Sequence, residues 1–157
     1  EINPDIIISA NGNTKVIKTP NIQNSNWGFA LIGSSGGSIT VNGHTLKVPA
    51  GAVGQSTWFM LKVVASNAVH VNLKAWRAAD GQPVTQFPIV PVKLTLDATG
   101  LGPLDPGLLI VYLRDDTYDG RKEAVPSTVD LNAGTVTGYL THFSSYALAR
   151  EFSPGID

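Results

Sequence analysis

Apolar and polar residues alternate with a period of two along most of this chain. Between positions 69 and 75, Val69, Val71, Leu73 and Ala75 fall on one side and His70, Asn72 and Lys74 on the other. Positions 92–97 repeat the pattern, with Val92, Leu94 and Leu96 opposite Lys93, Thr95 and Asp97. A β-strand projects successive side chains to opposite faces, so each segment predicts a strand with one buried and one wet face. Further strands are predicted over 38–41, 45–48, 57–65, 108–113, 127–131, 135–140 and 143–149. Turn signals separate them at Asn42-Gly43, Asp80-Gly81, Asp119-Gly120 and Asn132-Ala133-Gly134. No window of a dozen residues carries the pattern of an amphipathic helix. Short strands spaced by Gly, Pro and Asn predict an all-β fold, an antiparallel β-sandwich.

The first 35 residues read differently. Short apolar bursts, Ile6-Ile7-Ile8 and Val16-Ile17, stand among Asn, Pro, Thr and Ser, and Trp27-Gly28-Phe29-Ala30-Leu31-Ile32 forms a stronger strand candidate. The expected division is therefore an N-terminal β extension over 1–35, a sandwich over 36–150 and a tail over 151–157, the last marked by Pro154-Gly155.

Composition narrows the function. A chain of 157 residues with 43% hydrophobic and 15% charged residues is one globular domain with a core of its own. The net charge is -1, and the longest basic run is Arg121-Lys122. Nucleic acid and anionic membrane surfaces both demand clustered cations, so neither is an expected partner. With no Cys, disulfides, thiolate metal sites and cysteine nucleophiles are excluded. No apolar run approaches the ~18 residues of a spanning helix. Low charge, abundant Thr, Asn, Ser and Gly, and a single Met have the cast of a bacterial extracellular or cell-surface protein, with Glu1 reading as a processed terminus.

Several marks occur in a fixed order: Gly36-Gly37 before a strand, then Val48-Pro49-Ala50-Gly51-Ala52-Val53, then Phe87-Pro88 and Pro91-Val92-Lys93-Leu94. Val125-Pro126-Ser127-Thr128-Val129-Asp130 follows, and then Thr141-His142-Phe143-Ser144. In these marks the chain from 36 to 148 resembles the domain shared by zonula-occludens, netrin-receptor and ankyrin proteins, in the version found in bacterial surface proteins. That resemblance implies a β-sandwich used for protein contacts, with no cofactor. The marks also have their own physical sense: Pro49 removes a ladder donor and Gly51 tolerates a turn of positive φ.

Four groups of residues carry candidate chemistry. In some relatives of the resembled family a His-Phe-Ser sequence cleaves itself. By that resemblance Ser144 Oγ would attack the Phe143 carbonyl, with His142 as base and later acid. The competing reading makes Phe143 core and leaves His142 and Ser144 as strand residues. Asp115, Thr117, Asp119 and Gly120 mimic the start of a calcium loop, but the twelfth position is Pro126 rather than an acid. Trp58, Trp76 and Tyr112 are candidates for stacking on sugar rings, with Trp76, on the face of His70, Asn72 and Lys74, expected to be the most exposed. Finally, Ile6, Ile7 and Ile8 form an apolar strand that either joins its own sheet or is donated to the open sheet edge of a neighbouring copy. His44, His70 and His142 lie far apart, with no spacing that suggests a metal site. The expectation is a non-enzymatic extracellular module making protein–protein contacts, with copies of itself in a surface fibre as the expected partners. An autoproteolytic domain and a carbohydrate-binding module are the alternatives.

Overall fold

The computed structural model describes residues 14–87, 90–101, 104, 106–114, 118 and 122–151. In chain order the strands are β1 (Thr14–Val16), β2 (Lys18–Gln23), β3 (Asn26–Ile32), β4 (Gly37–Val41), β5 (His44–Val48), β6 (Thr57–Val63), β7 (Ser66–Ala68) and β8 (His70–Arg77). They continue with β9 (Val92–Asp97), β10 (Leu108–Leu113), β11 (Lys122–Val125), β12 (Ser127–Asp130), β13 (Thr135–Leu140) and β14 (Ser145–Glu151). A single 3₁₀ turn, Thr99–Leu101, is the one helical element among the described residues. No helix there is long and apolar enough to cross a membrane.

Two antiparallel sheets face each other. The larger has the order β11-β10-β14-β8-β6-β3, with β1 added beside the end of β14; the smaller runs β12-β13-β9-β5-β4. A short β2-β7 ribbon stands apart. The chain is thus an all-β sandwich. Alternation explains the core between the sheets: Leu46, Phe59, Leu61, Leu94, Leu96, Ile110 and Leu148 all point inward and are fully buried.

Within the stretch expected as an extension, β1 and β3 are strands of the larger sheet, while β2 pairs with β7. β3 pairs with β6 along its whole length, from Asn26↔Val63 to Ile32↔Thr57, and β1 pairs with the end of β14. The Asn42-Gly43 turn closes the β4–β5 hairpin with φ of 51° and 84°, the positive pair that a two-residue hairpin requires. The strand expected to start at Phe143 starts at Ser145 instead. The Phe143 ring leaves the ladder to pack with Phe59 and Phe87 in the core.

The outer face of the larger sheet is divided in two. On the β10-β14-β1 side, Leu109, Val111, Leu113, Ala147, Ala149 and Val16 join Ala68 in a second buried cluster, against which Tyr118 packs. This explains why Leu108–Leu113 is apolar without alternation: both of its faces are covered. It also corrects the sequence reading of His70. Expected on a wet face, His70 is buried, and its Nδ1 lies 2.9 Å from the Tyr118 hydroxyl. On the β8-β6-β3 side nothing among the described residues covers the face.

His44 gives the fold a pH dependence. It is buried at the start of β5, and its Nδ1 accepts the Asp97 backbone N–H at 3.0 Å. Burial lowers its pKa below the ordinary 6.5, and the nearby Asp97 carboxylate opposes this only in part. The unfolded chain therefore binds this proton more readily than the folded one. The stability due to neutral His44 is fully present above about pH 6.5 and is lost as the pH falls from there toward the lowered native value. Urea midpoints measured from pH 8 to 5 should fall more steeply for wild type than for His44→Gln. Equal slopes would mean that His44 titrates as freely in the folded protein as in the unfolded chain.

Candidate functional site

The exposed half of the larger sheet is aromatic. On edge strand β3, Trp27, Phe29 and Leu31 are 50%, 55% and 53% exposed, whereas Gly28, Ala30 and Ile32 turn inward. Gly28 is required here because a Cβ would come within 2.5 Å of Val41 Cγ2 and 2.7 Å of Ile39 Cγ2, so close does β4 pack beneath it. The ladder places Trp27 beside Lys62, Phe29 beside Met60 and Leu31 beside Trp58. It then places Trp58 beside Trp76 and Met60 beside Lys74. The rings are in contact: Phe29 reaches Trp76 edge-on at 6.4 Å, and Lys62 Nζ stands 5.3 Å from the Trp27 ring centre. Three strands thus present one continuous apolar patch, which on a monomer's surface commonly marks a contact site.

The patch ends at an open edge. β3 has β6 on one side and no ladder partner on the other among the described residues. Asn26 Oδ1 accepts the Trp27 N–H at 2.9 Å, which marks Trp27 as pointing its backbone away from β6. By strand alternation, the N–H and C=O groups of Trp27, Phe29 and Leu31 share that side. Such a row is a template for another strand.

Beyond Trp76 the face dips into a groove of about 570 Å³. Asn72, Lys74, Trp76, Thr85 and Ser144 line it, supplying one cation, neutral polar groups and no carboxylate. Its walls are β8 and the segment that crosses from Gln82, tied by Arg77 N–H to Gln82 O and Val84 N–H to Ala75 O.

The sequence candidates fall as follows. Trp58 and Trp76 share the exposed face as cross-strand neighbours, but Trp76, expected to be the most exposed, is half-buried beneath Phe29. Tyr112 is not on that face. It pairs with Tyr146 and points to the other side of the sheet, 4.8 Å from the His142 ring. Trp27, Phe29 and Leu31 were not singled out from the sequence. Ile6, Ile7 and Ile8 lie outside the described residues, as do Asp115, Thr117 and Asp119. Among the described residues no group of three or more His, Cys, Asp or Glu is placed to hold a metal.

His142, Phe143 and Ser144 are adjacent in sequence but face three environments. His142 lines a small cavity with Tyr112, Glu123 and Tyr146, where Tyr146 donates to the His142 carbonyl at 2.6 Å and lies 3.2 Å from its Nδ1. Burial, with Tyr112 and Glu123 nearby, pushes the Tyr146 phenol well above its usual pKa, so it remains a donor. Phe143 is in the core, its N–H bonded to Thr85 O. Ser144 lines the outer groove and its carbonyl accepts the Leu73 N–H. The imidazole and the hydroxyl thus line different cavities.

No protein-family model matches the chain, and no curated protein matches it.

Proposed function

We propose that the chain is a non-enzymatic, cell-surface structural module that makes protein–protein contacts with copies of itself through the β8-β6-β3 face. The observation that carries this reading is the row Trp27, Phe29 and Leu31, each about half exposed on a strand at an open edge. Covering what remains exposed of each side chain contributes roughly 1 kcal/mol, and Trp58, Met60 and the open main-chain groups add to it. Mixed aromatic and aliphatic side chains suit a protein partner. Purely aromatic platforms rimmed by polar groups suit a sugar, and here Leu31 and Met60 interrupt the rings. The sandwich itself and the order of its sequence marks support membership of the zonula-occludens/netrin-receptor type. The low charge and Thr/Asn/Ser/Gly-rich composition support an extracellular or cell-surface, bacterial setting. Cleavage between Phe143 and Ser144 is not part of this reading, because His142 and Ser144 open apart.

The test is the combined variant Trp27→Ser, Phe29→Ser, Leu31→Thr. Light scattering should show wild type associating with rising concentration and the variant remaining monomeric, with unchanged far-UV circular dichroism. A glycan occupant, favoured by the groove beside Trp76, would give the opposite outcome. Wild type would stay monomeric, and its Trp fluorescence would respond saturably to a soluble polysaccharide.

A further inference from the structure

We infer that the open edge of β3 is an acceptor for the apolar strand at residues 5–9 of a second copy, joining copies head to tail. This rests on the contact-surface reading above and names the partner segment.

The first support is reach. Val16 lies opposite Ala149, and His70 opposite Ala147, so β1 and β8 lie end to end along one side of β14. Phe29, the middle of the open edge, is at the level of Lys74 through Met60. From Thr14 to that level is about eight residues along the strands, about 27 Å, and the position outside β3 is about three strand spacings across, about 14 Å. The separation is therefore about 31 Å, whereas the chain from Ile7 to Thr14 extends at most about 25 Å. A molecule's own Ile7 therefore cannot reach the Phe29 level of its own β3 edge; a neighbour's strand is under no such limit.

The second support is pattern. Pro4 and Asn11-Gly12 bound the segment D-I-I-I-S-A, as turn and breaker residues bound a strand. Laid antiparallel with Ile8 opposite Phe29, it sets Ile6 beside Leu31, Ile7 on the inner side beside Ala30, and small Ala10 beside large Trp27. Ile6 and Ile8 then extend the apolar outer face, and Ile7 meets the flank of the core where Ile39 and Val41 lie beneath β3. The outward N–H and C=O groups of Phe29 pair with those of Ile8, as in any antiparallel ladder. Donor and acceptor are separate surfaces on one molecule. The contact is heterologous, and repeated it generates an open chain rather than a closed dimer.

Two full-length variants test this: a donor-defective Ile6→Asp/Ile8→Asp protein and an acceptor-defective Phe29→Lys protein, each checked for native circular dichroism. Wild type should form chains that lengthen with concentration. Each variant alone should be monomeric at tenfold higher concentration. A 1:1 mixture should form a heterodimer and stop there, since only one intact donor meets one intact acceptor. If the donor variant still associates while Phe29→Lys does not, the face works without the strand and only the contact-surface reading stands. A mixture that stays monomeric would likewise overturn the head-to-tail contact. Association of Phe29→Lys equal to wild type, or a monomeric wild type, would sink both readings.

Discussion

Replacing Phe59 with Ala should destabilise the protein by about 3–5 kcal/mol, the range for truncating a buried aromatic side chain. Phe59 is fully buried at the centre of an aromatic trio, stacked on Phe87 at 6.0 Å and edge-on to Phe143 at 5.8 Å, with Phe87 and Phe143 themselves 4.6 Å apart. The cavity opens where three elements meet: β6, the crossing segment that carries Phe87, and the chain entering β14. None of the three can collapse into it without breaking hydrogen bonds such as Phe87 N–H to Thr141 O. A thermal midpoint lowered by roughly 6–20 °C is expected. Because the rings touch, the double variant Phe59→Ala/Phe143→Ala should cost less than the sum of the two single changes. Additive losses would show that Phe143 is held by its own backbone rather than by the trio.

The second large effect is expected at Gly36. Its φ is +84°, and a Cβ there would meet Val48 O at 2.6 Å and Ala50 N at 2.9 Å. These are backbone atoms at the end of β5, fixed by the Gly51 N–H to Ser34 O bond, so neither can swing aside. Gly36→Ala therefore combines left-handed strain with overpacking, for a loss of about 2–5 kcal/mol. Gly81→Ala is the control: its φ is also positive, +72°, but nothing lies within 4 Å of an added Cβ. It should cost only the conformational strain, about 1–2 kcal/mol. Equal losses in chemical denaturation would mean that the contact with the β5 end is relieved by a small shift of the loop.

Gly36 also bears on the proposed contact face. The turn containing Gly36 carries the chain from β3 in one sheet to β4 in the other, so it fixes where the exposed row Trp27–Phe29–Leu31 stands over the core. A loosened turn should weaken association along with stability.

Much of this architecture was legible in the chain. Val92–Asp97, Leu108–Leu113 and Thr135–Leu140 match their predicted limits at both ends, because each is long, regular and bounded by turn residues. Asn42-Gly43, Gly81 and Gly134 adopt the positive φ their turn signals predict. The strands β1, β2, β7 and β11 were not predicted. β1 and β7 have three residues each, β11 has four, and Thr19-Pro20-Asn21 interrupts β2 with a residue that lacks a ladder donor. Such segments are held by a neighbouring strand rather than by their own pattern.

The contact face was hidden for a different reason. Trp27–Ile32 is nearly continuous in apolar residues, the same signature as Leu108–Leu113, which is buried on both sides. Local pattern records that both faces of a strand are apolar; it does not record whether anything covers them. Strand order decides that. β10 lies inside the sheet beneath the cluster of Val16, Ala68 and Ala147, while β3 is last in the order, with no ladder partner on its outer edge among the described residues.

The same distinction separates the two ends of the chain's candidate chemistry. The sequence by itself determined the fold class and the turns, and it marked Ile6–Ile7–Ile8 as an apolar strand candidate, since period, glycine and burial cost are local properties. The tertiary structure decided that His142 and Ser144 open onto different cavities. It also decided that an aromatic row stands on the last strand of the larger sheet, with no ladder partner beyond it among the described residues. Both depend on which strands become neighbours, and that pairing is set by the whole core at once.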